Sequence, residues 1–218
     1  GFLARGGFVP EPGEEVPVAP GGAPARSIVV VGNVGGTVWE RFRSGETPGP
    51  DPLDRWTRDV LEPLAASFGA GFVHPSDEPF QPFQRWAQRA DDVWQSPIGL
   101  LIHASHGLWH AYRGAFLFAD VLDGLPPVGG QVSPCVTCPD RPCLTGCPVD
   151  AFAAAPAEPG VPPAYDVAAC AAHLRSGADP RCIDVGCAAR LACPVNAEGR
   201  YGDDQMRFHM RAFAGAHP

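Results

Sequence analysis

Apolar residues along the first half of the chain switch repeatedly between the periods of strands and helices. The run SIVVV at 27–31 predicts a buried strand that enters a glycine turn and then the short helix VWERF. From Asp51 or Pro52 onward, Trp56, Val60, Leu64 and Phe68 recur every fourth residue and predict a helix with that stripe in the core, ended by Gly69. The segments 70–75 and 98–104 read as short strands, and 82–94 as a second helix. Residues 107–122 fit strand and helix equally. Such alternation predicts an α/β or α+β layered domain. Near the end, 202–215 reads as a helix capped by Asp203, with Met206, Met210 and Phe213 on one face for core or dimer packing.

Composition restricts the functions available to this pattern. The chain has 218 residues, 45% of them hydrophobic, with 26 Gly and 26 Pro, so it is globular but rich in turns. A net charge of −8 argues against nucleic acid as a partner. All sixteen basic residues are arginine. The absence of lysine excludes a Schiff-base enzyme, a lysine general base and a Walker-type phosphate lysine. No apolar run approaches the roughly 20 residues of a membrane span. The expectation is a cytoplasmic protein without a membrane partner.

The chemistry is concentrated in the second half. All eight cysteines lie between 135 and 193, in two sets that both end in Cys-Pro-Val. Cys135, Cys138, Cys143 and Cys147 are spaced C-x2-C-x4-C-x3-C-P; Cys170, Cys182, Cys187 and Cys193 are spaced C-x11-C-x4-C-x5-C-P. The matching ends, CPVD and CPVN, suggest an internal repeat. Disulfides suit short secreted scaffolds, whereas a long cysteine-free half precedes these thiols. Zinc could use two sites of four thiolates, but its usual paired knuckles need two C-x2-C motifs and only one is present. Runs ending in C-x3-C-P are the sign of ferredoxins with two clusters, in which three cysteines of one run and the fourth of the other share a cubane. That pattern predicts two [4Fe-4S] clusters, one on Cys135, Cys138, Cys143 and Cys193 and the other on Cys147, Cys170, Cys182 and Cys187. Pro148 and Pro194 would each open a helix that turns the preceding thiolate away from its own run. The two residues inserted within 139–142 and the stretched second run leave a [3Fe-4S] centre, or a single cluster, as alternatives.

In the first half, GNVGG at 32–36 lacks the dinucleotide-binding order of glycines, so it is either a plain tight turn or a loop whose backbone approaches a ligand. His103, His106 and His110 lie close in sequence, but without a thiolate or carboxylate at fixed spacing they read as hydrogen-bonded or surface histidines rather than metal ligands. Arg113, between apolar neighbours, either ties the fold together or meets an anionic group of a ligand.

The order of VWERF, FVHP and HGLWHAYRG resembles the cobalamin-processing decyanase and dealkylase family, whose domain is a modified flavin-reductase/nitroreductase fold. The cysteine half is similar to the dicluster module of epoxyqueuosine reductases and reductive dehalogenases. This resemblance implies an α+β fold: a nitroreductase-like α/β sandwich at 1–128, a small, mainly helical dicluster module at 129–200 and a C-terminal helix and tail at 201–218. It implies a cobalamin bound by the first domain, with Gly32, Gly35, Gly36, His106, Gly107, Trp109 and Arg113 lining its pocket, and reduction of that corrinoid by the two clusters. Leu108 stands where epoxyqueuosine reductases place an acidic proton donor, and no proton donor or other catalytic residue is assigned. Two functions follow: a corrinoid-dependent or corrinoid-modifying reductase, or a ferredoxin-like electron-transfer protein without a catalytic cofactor. Either takes electrons from a redox partner protein or a small-molecule donor.

Overall fold

The computed structural model describes residues 1–45, 49–152 and 164–217. The chain is mixed α/β with an antiparallel sheet, and it divides into two compact units, Gly1–Asp92 with His110–Gly130, and Val93–Trp109 with Gln131–Pro218.

In the first unit, strands β1 (Leu3–Phe8), β2 (Ser27–Val34), β3 (Gly71–Val73) and a long strand at His110–Phe118 form a sheet in which the long strand lies between β2 and β3. All pairings are antiparallel. β2 has neighbours on both sides and a helix over each face, which explains its unbroken apolar run. Ile28 and Val30 point into a core with Phe8, Trp86, Ala115 and Leu117; Val29 and Val31 face the opposite core of Leu61, Ala65 and Phe116. Helix α1 (Trp39–Ser44) buries Trp39 and Phe42.

Helix α2 (Pro52–Ser67) forms as predicted, but a different stripe is buried. Leu53, Thr57, Leu61 and Ala65 face the sheet, while Val60, Leu64 and Phe68 are exposed at 39%, 41% and 62%. Both rows repeat every fourth residue. The row with small Thr57 and Ala65 lets the helix axis approach the sheet, and the bulkier row is left outside.

Helix α3 (Phe83–Ala90) is shorter than the predicted 82–94. Asp91 is extended, with φ −146 and ψ 155, and its carboxylate pairs with Arg5 at 2.7 Å and accepts a hydrogen bond from the Tyr112 hydroxyl at 2.9 Å. That buried ion pair ends the helix, and the chain continues as strand β4 (Val93–Gln95), which pairs with β5 (Leu101–His103). The ambiguous stretch after it resolves as the long strand, β6 (His110–Phe118).

The hairpin of β4 and β5 and the rest of Val93–Trp109 belong to the second unit, not to the first as the sequence suggested. Ile98, Ile102 and Leu108 pack there with Cys143, Ala189 and Cys193. The other elements are α4 (Pro142–Thr145), α5 (Val167–Ser176), α6 (Arg181–Asp184), α7 (Ala188–Leu191) and α8 (Asp203–Ala216). The Asp166 side chain accepts from the Ala169 amide to start α5, and Gly177 at φ 64 ends it. α8 packs on α5 and α6 within this unit instead of forming a separate tail, and its cap residue is Gly202, not Asp203.

Candidate metal centres

The eight cysteines are all free thiols. Short elements bring them together. Arg141, in a left-handed conformation at φ 40, sets Pro142 at the start of α4, which holds Cys143; Gly186, at φ 126, and Cys187, at φ −58 and ψ 114, lead into α7. Pro148 and Pro194 do not open α-helices. Each is followed by Val and then a left-handed residue, Asp150 at φ 50 and Asn196 at φ 52, which ends any helical start within two residues. After Asn196 the chain makes a 3-10 turn, Ala197–Gly199. The repeat in sequence is therefore also a repeat in backbone conformation.

Electrostatic coupling identifies which thiols are neighbours. Burial, joined by repulsion from Cys143, Cys193 and Cys138, raises the Cys135 thiol to about 11. Cys143 is raised by burial, then by Cys193 and Cys138; Cys193 is raised by burial and by Cys138. These four line one cleft together with Ile102, Leu108, Pro142 and Val195, with about 370 Å³ of empty space counted out to its open side. In the other group, Cys170, Cys182 and Cys187 are each raised by burial and then by Cys147 or by one another. Cys193 sits with the first run and Cys147 with the second.

Hydrogen bonds converge on these sulfurs. The Ala151 amide donates to the Cys147 sulfur at 3.4 Å. Backbone amides of Leu144, Ala188, Arg190 and Val195 donate to Cys143, Cys182, Cys187 and Cys193 respectively. The Tyr165 hydroxyl bonds to Cys170, and its ring stacks on Phe152 at 4.8 Å. Among the described residues, no three His, Cys, Asp or Glu side chains converge on a single-ion site.

Family models, curated proteins and solved structures offer no match to this chain.

The residues expected to line a corrinoid pocket are divided between the units. In the first, a Cβ on Gly32 would lie 1.9 Å from the Ala111 carbonyl oxygen, so β6 already fills that space. The Gly35 carbonyl accepts from Asn33 and the Gly36 carbonyl from the Trp39 amide, which makes the turn a plain one. In the second, Gly107 has φ 58, and a Cβ there would meet the Val195 carbonyl oxygen at 2.3 Å. Trp109 is fully buried beneath the Arg190 guanidinium, 4.4 Å from its ring centre. The His106 ring stacks on His103 at 4.3 Å, and its carbonyl accepts from Asn196. His110 packs edge-on against Tyr112 in the first unit. Arg113 lines an open cleft with Asp54, His74 and Ser76. Sequence reasoning did not single out those three, which are brought together by α2, the turn after β3, and β6.

Proposed function

We propose that this chain is an iron–sulfur electron-transfer protein with two [4Fe-4S] clusters, one held by Cys135, Cys138, Cys143 and Cys193 and the other by Cys147, Cys170, Cys182 and Cys187. The observation that carries the reading is the exchange of partners between the two runs, which is the arrangement of dicluster ferredoxins. The donor chemistry fits. Burial raises Cys135, Cys143 and Cys193 in one quartet and Cys170, Cys182 and Cys187 in the other, so these thiols ionise together only beside a strongly cationic core.

Such clusters, when bound, accept and release single electrons. The protein's contribution is to orient the thiolates and to set how strongly each quartet holds negative charge. Amide donors at Cys143, Cys147, Cys182, Cys187 and Cys193 and the Tyr165 hydroxyl at Cys170 favour the more negative, reduced state. Half-buried Arg200 acts in the same sense on Cys193. A net charge of −8 steers the chain toward a basic redox partner.

The corrinoid-dependent reading, and with it a nitroreductase-like first unit, rests on resemblance alone. Six of its seven pocket residues meet protein atoms or close a turn, so no step is derived through a corrinoid.

The test is anaerobic isolation followed by iron and sulfide counts and reductive titration. About eight of each per chain with reversible bleaching supports the reading. Stoichiometric zinc, or thiols paired as disulfides, contradicts it.

A further inference from the structure

The two residues inserted within 139–142 lengthen the first cysteine run and bring an arginine to its cleft. Arg141 is held at φ 40, a backbone conformation uncommon outside glycine, directly before Pro142. It lines the same cleft as Cys135, Cys138, Cys143 and Cys193.

A second guanidinium reaches this quartet from the other run. Left-handed Asn196, tied to the His106 carbonyl at 3.4 Å, and the 3-10 turn Ala197–Gly199 fold the chain back, so that Arg200 Nη2 donates to the Leu191 carbonyl, two residues before Cys193. The positive charge of Arg200 favours the Cys193 thiolate. Arg190 directs its guanidinium to the carbonyl of Leu108, a residue of the same cleft. Among the described residues, neither Arg141 nor Arg200 has a carboxylate at ion-pair distance, and Arg200 Nε is buried without a hydrogen-bond partner.

The second quartet has carboxylates beside it instead. Asp179 and Asp184 flank Cys182 in sequence, and both are engaged: Asp179 pairs with Arg181 at 2.6 Å, and Asp184 with Arg207 at 3.4 Å and Arg211 at 3.7 Å. Neutral amide and hydroxyl donors serve both quartets. An unpaired charge in a partly buried site acts more strongly than a neutral donor, and a cation favours the more negative, reduced state of a cluster.

We propose that Arg141 and Arg200 make the cluster on Cys135, Cys138, Cys143 and Cys193 the one of higher reduction potential, so that a singly reduced chain holds its electron there. The inference rests on the dicluster reading and adds to it an order between the two centres. The step is the gain of one electron from an added low-potential reductant, with no bond made or broken. Both arginines are positioning residues that act through their field, and because arginine stays charged at all working pH values, the order does not depend on pH.

The full chain, isolated anaerobically and with its iron and sulfide counted, is titrated with dithionite and followed by electron paramagnetic resonance. Two midpoints are expected, and Cys138→Ser should alter the signal of the higher one. Arg141→Gln with Arg200→Gln should weaken reduction of that cluster by at least about tenfold, or about 59 mV, and leave the other within about twofold; Arg200→Lys should stay near the wild type. Iron content of each variant separates a shifted potential from a lost cluster. With about eight irons per chain, a Cys138→Ser change confined to the lower midpoint, an unmoved higher midpoint in the double variant, or loss of iron from it overturns the proposal and leaves the dicluster reading standing. A wild-type count well short of eight overturns both.

Discussion

The two units reach a folded state with different materials. The first has a four-stranded sheet between helices and cores of large side chains, among them Ile28, Leu61, Trp86 and Phe116. The second relies on helices as short as four residues, α4, α6 and α7, which have no stability of their own in water. Its core includes Cys143 and Cys193 as members beside Ile98, Ile102 and Leu108. The contrast teaches that periodic apolar patterning organises the first unit, while the second packs short elements around its cysteines. A bound group that the unfolded chain cannot bind adds its binding energy to folding.

The largest expected effect follows directly. Anaerobic removal of iron should lower amide-exchange protection around residues 133–152 and 181–200 by more than about 100-fold, or about 2.7 kcal/mol, while β2 and β6 keep theirs. Equal loss in both units would erase the distinction drawn between them.

Within the first unit, the two stripes of α2 can be set against each other. Leu61→Ala removes a fully buried side chain and should cost about 3 kcal/mol, whereas Leu64→Ala on the exposed row should stay within about 0.5 kcal/mol. Denaturant melts of the two variants decide which row is the core.

Gly107→Ala tests the tight backbone contact in the second unit. The left-handed φ of 58 alone costs about 1–2 kcal/mol, and the approach to Val195 adds to it. Destabilisation should appear in the exchange of the second unit and not the first.

Tyr165→Phe removes a hydroxyl from Cys170 and should lower the midpoint potential of one cluster while leaving the other unchanged. Redox titration followed by electron paramagnetic resonance separates the two.

The smallest effect is one of pH. Burial lowers the His74 pKa below its ordinary 6.5, so the unfolded chain binds a proton more readily than the folded one. Stability from this group is therefore complete above about 6.5 and is lost as pH falls below it toward the folded value. The melting temperature of the first unit should decline in that range, and less so in His74→Gln.

What could be read from the sequence follows the same division. The SIVVV strand and the helix beginning at Pro52 depend on local pattern, and each has a counterpart in the structure. The choice of stripe on α2 does not, because Trp56, Val60, Leu64 and Phe68 form a stronger apolar row than Leu53, Thr57, Leu61 and Ala65; packing distance to the sheet decides between them. The end of α3 depends on Arg5, far away in sequence, reaching Asp91. The aim of Arg113 depends on the register of β6 against β2, and no pattern within HAYRGAF encodes a bulge. At Gly32 and Gly107 the group that approaches the backbone is the protein's own carbonyl, not a ligand.

The central claim is that the two cysteine runs exchange their last members. Cys138→Ser, Cys193→Ser and Cys187→Ser, each isolated anaerobically, reduced and compared by electron paramagnetic resonance, test it most directly. The account predicts that Cys138→Ser and Cys193→Ser alter the same cluster signal and Cys187→Ser the other. If Cys193→Ser instead perturbs the signal that Cys187→Ser perturbs, each run holds its own cluster and the interlocked arrangement is wrong.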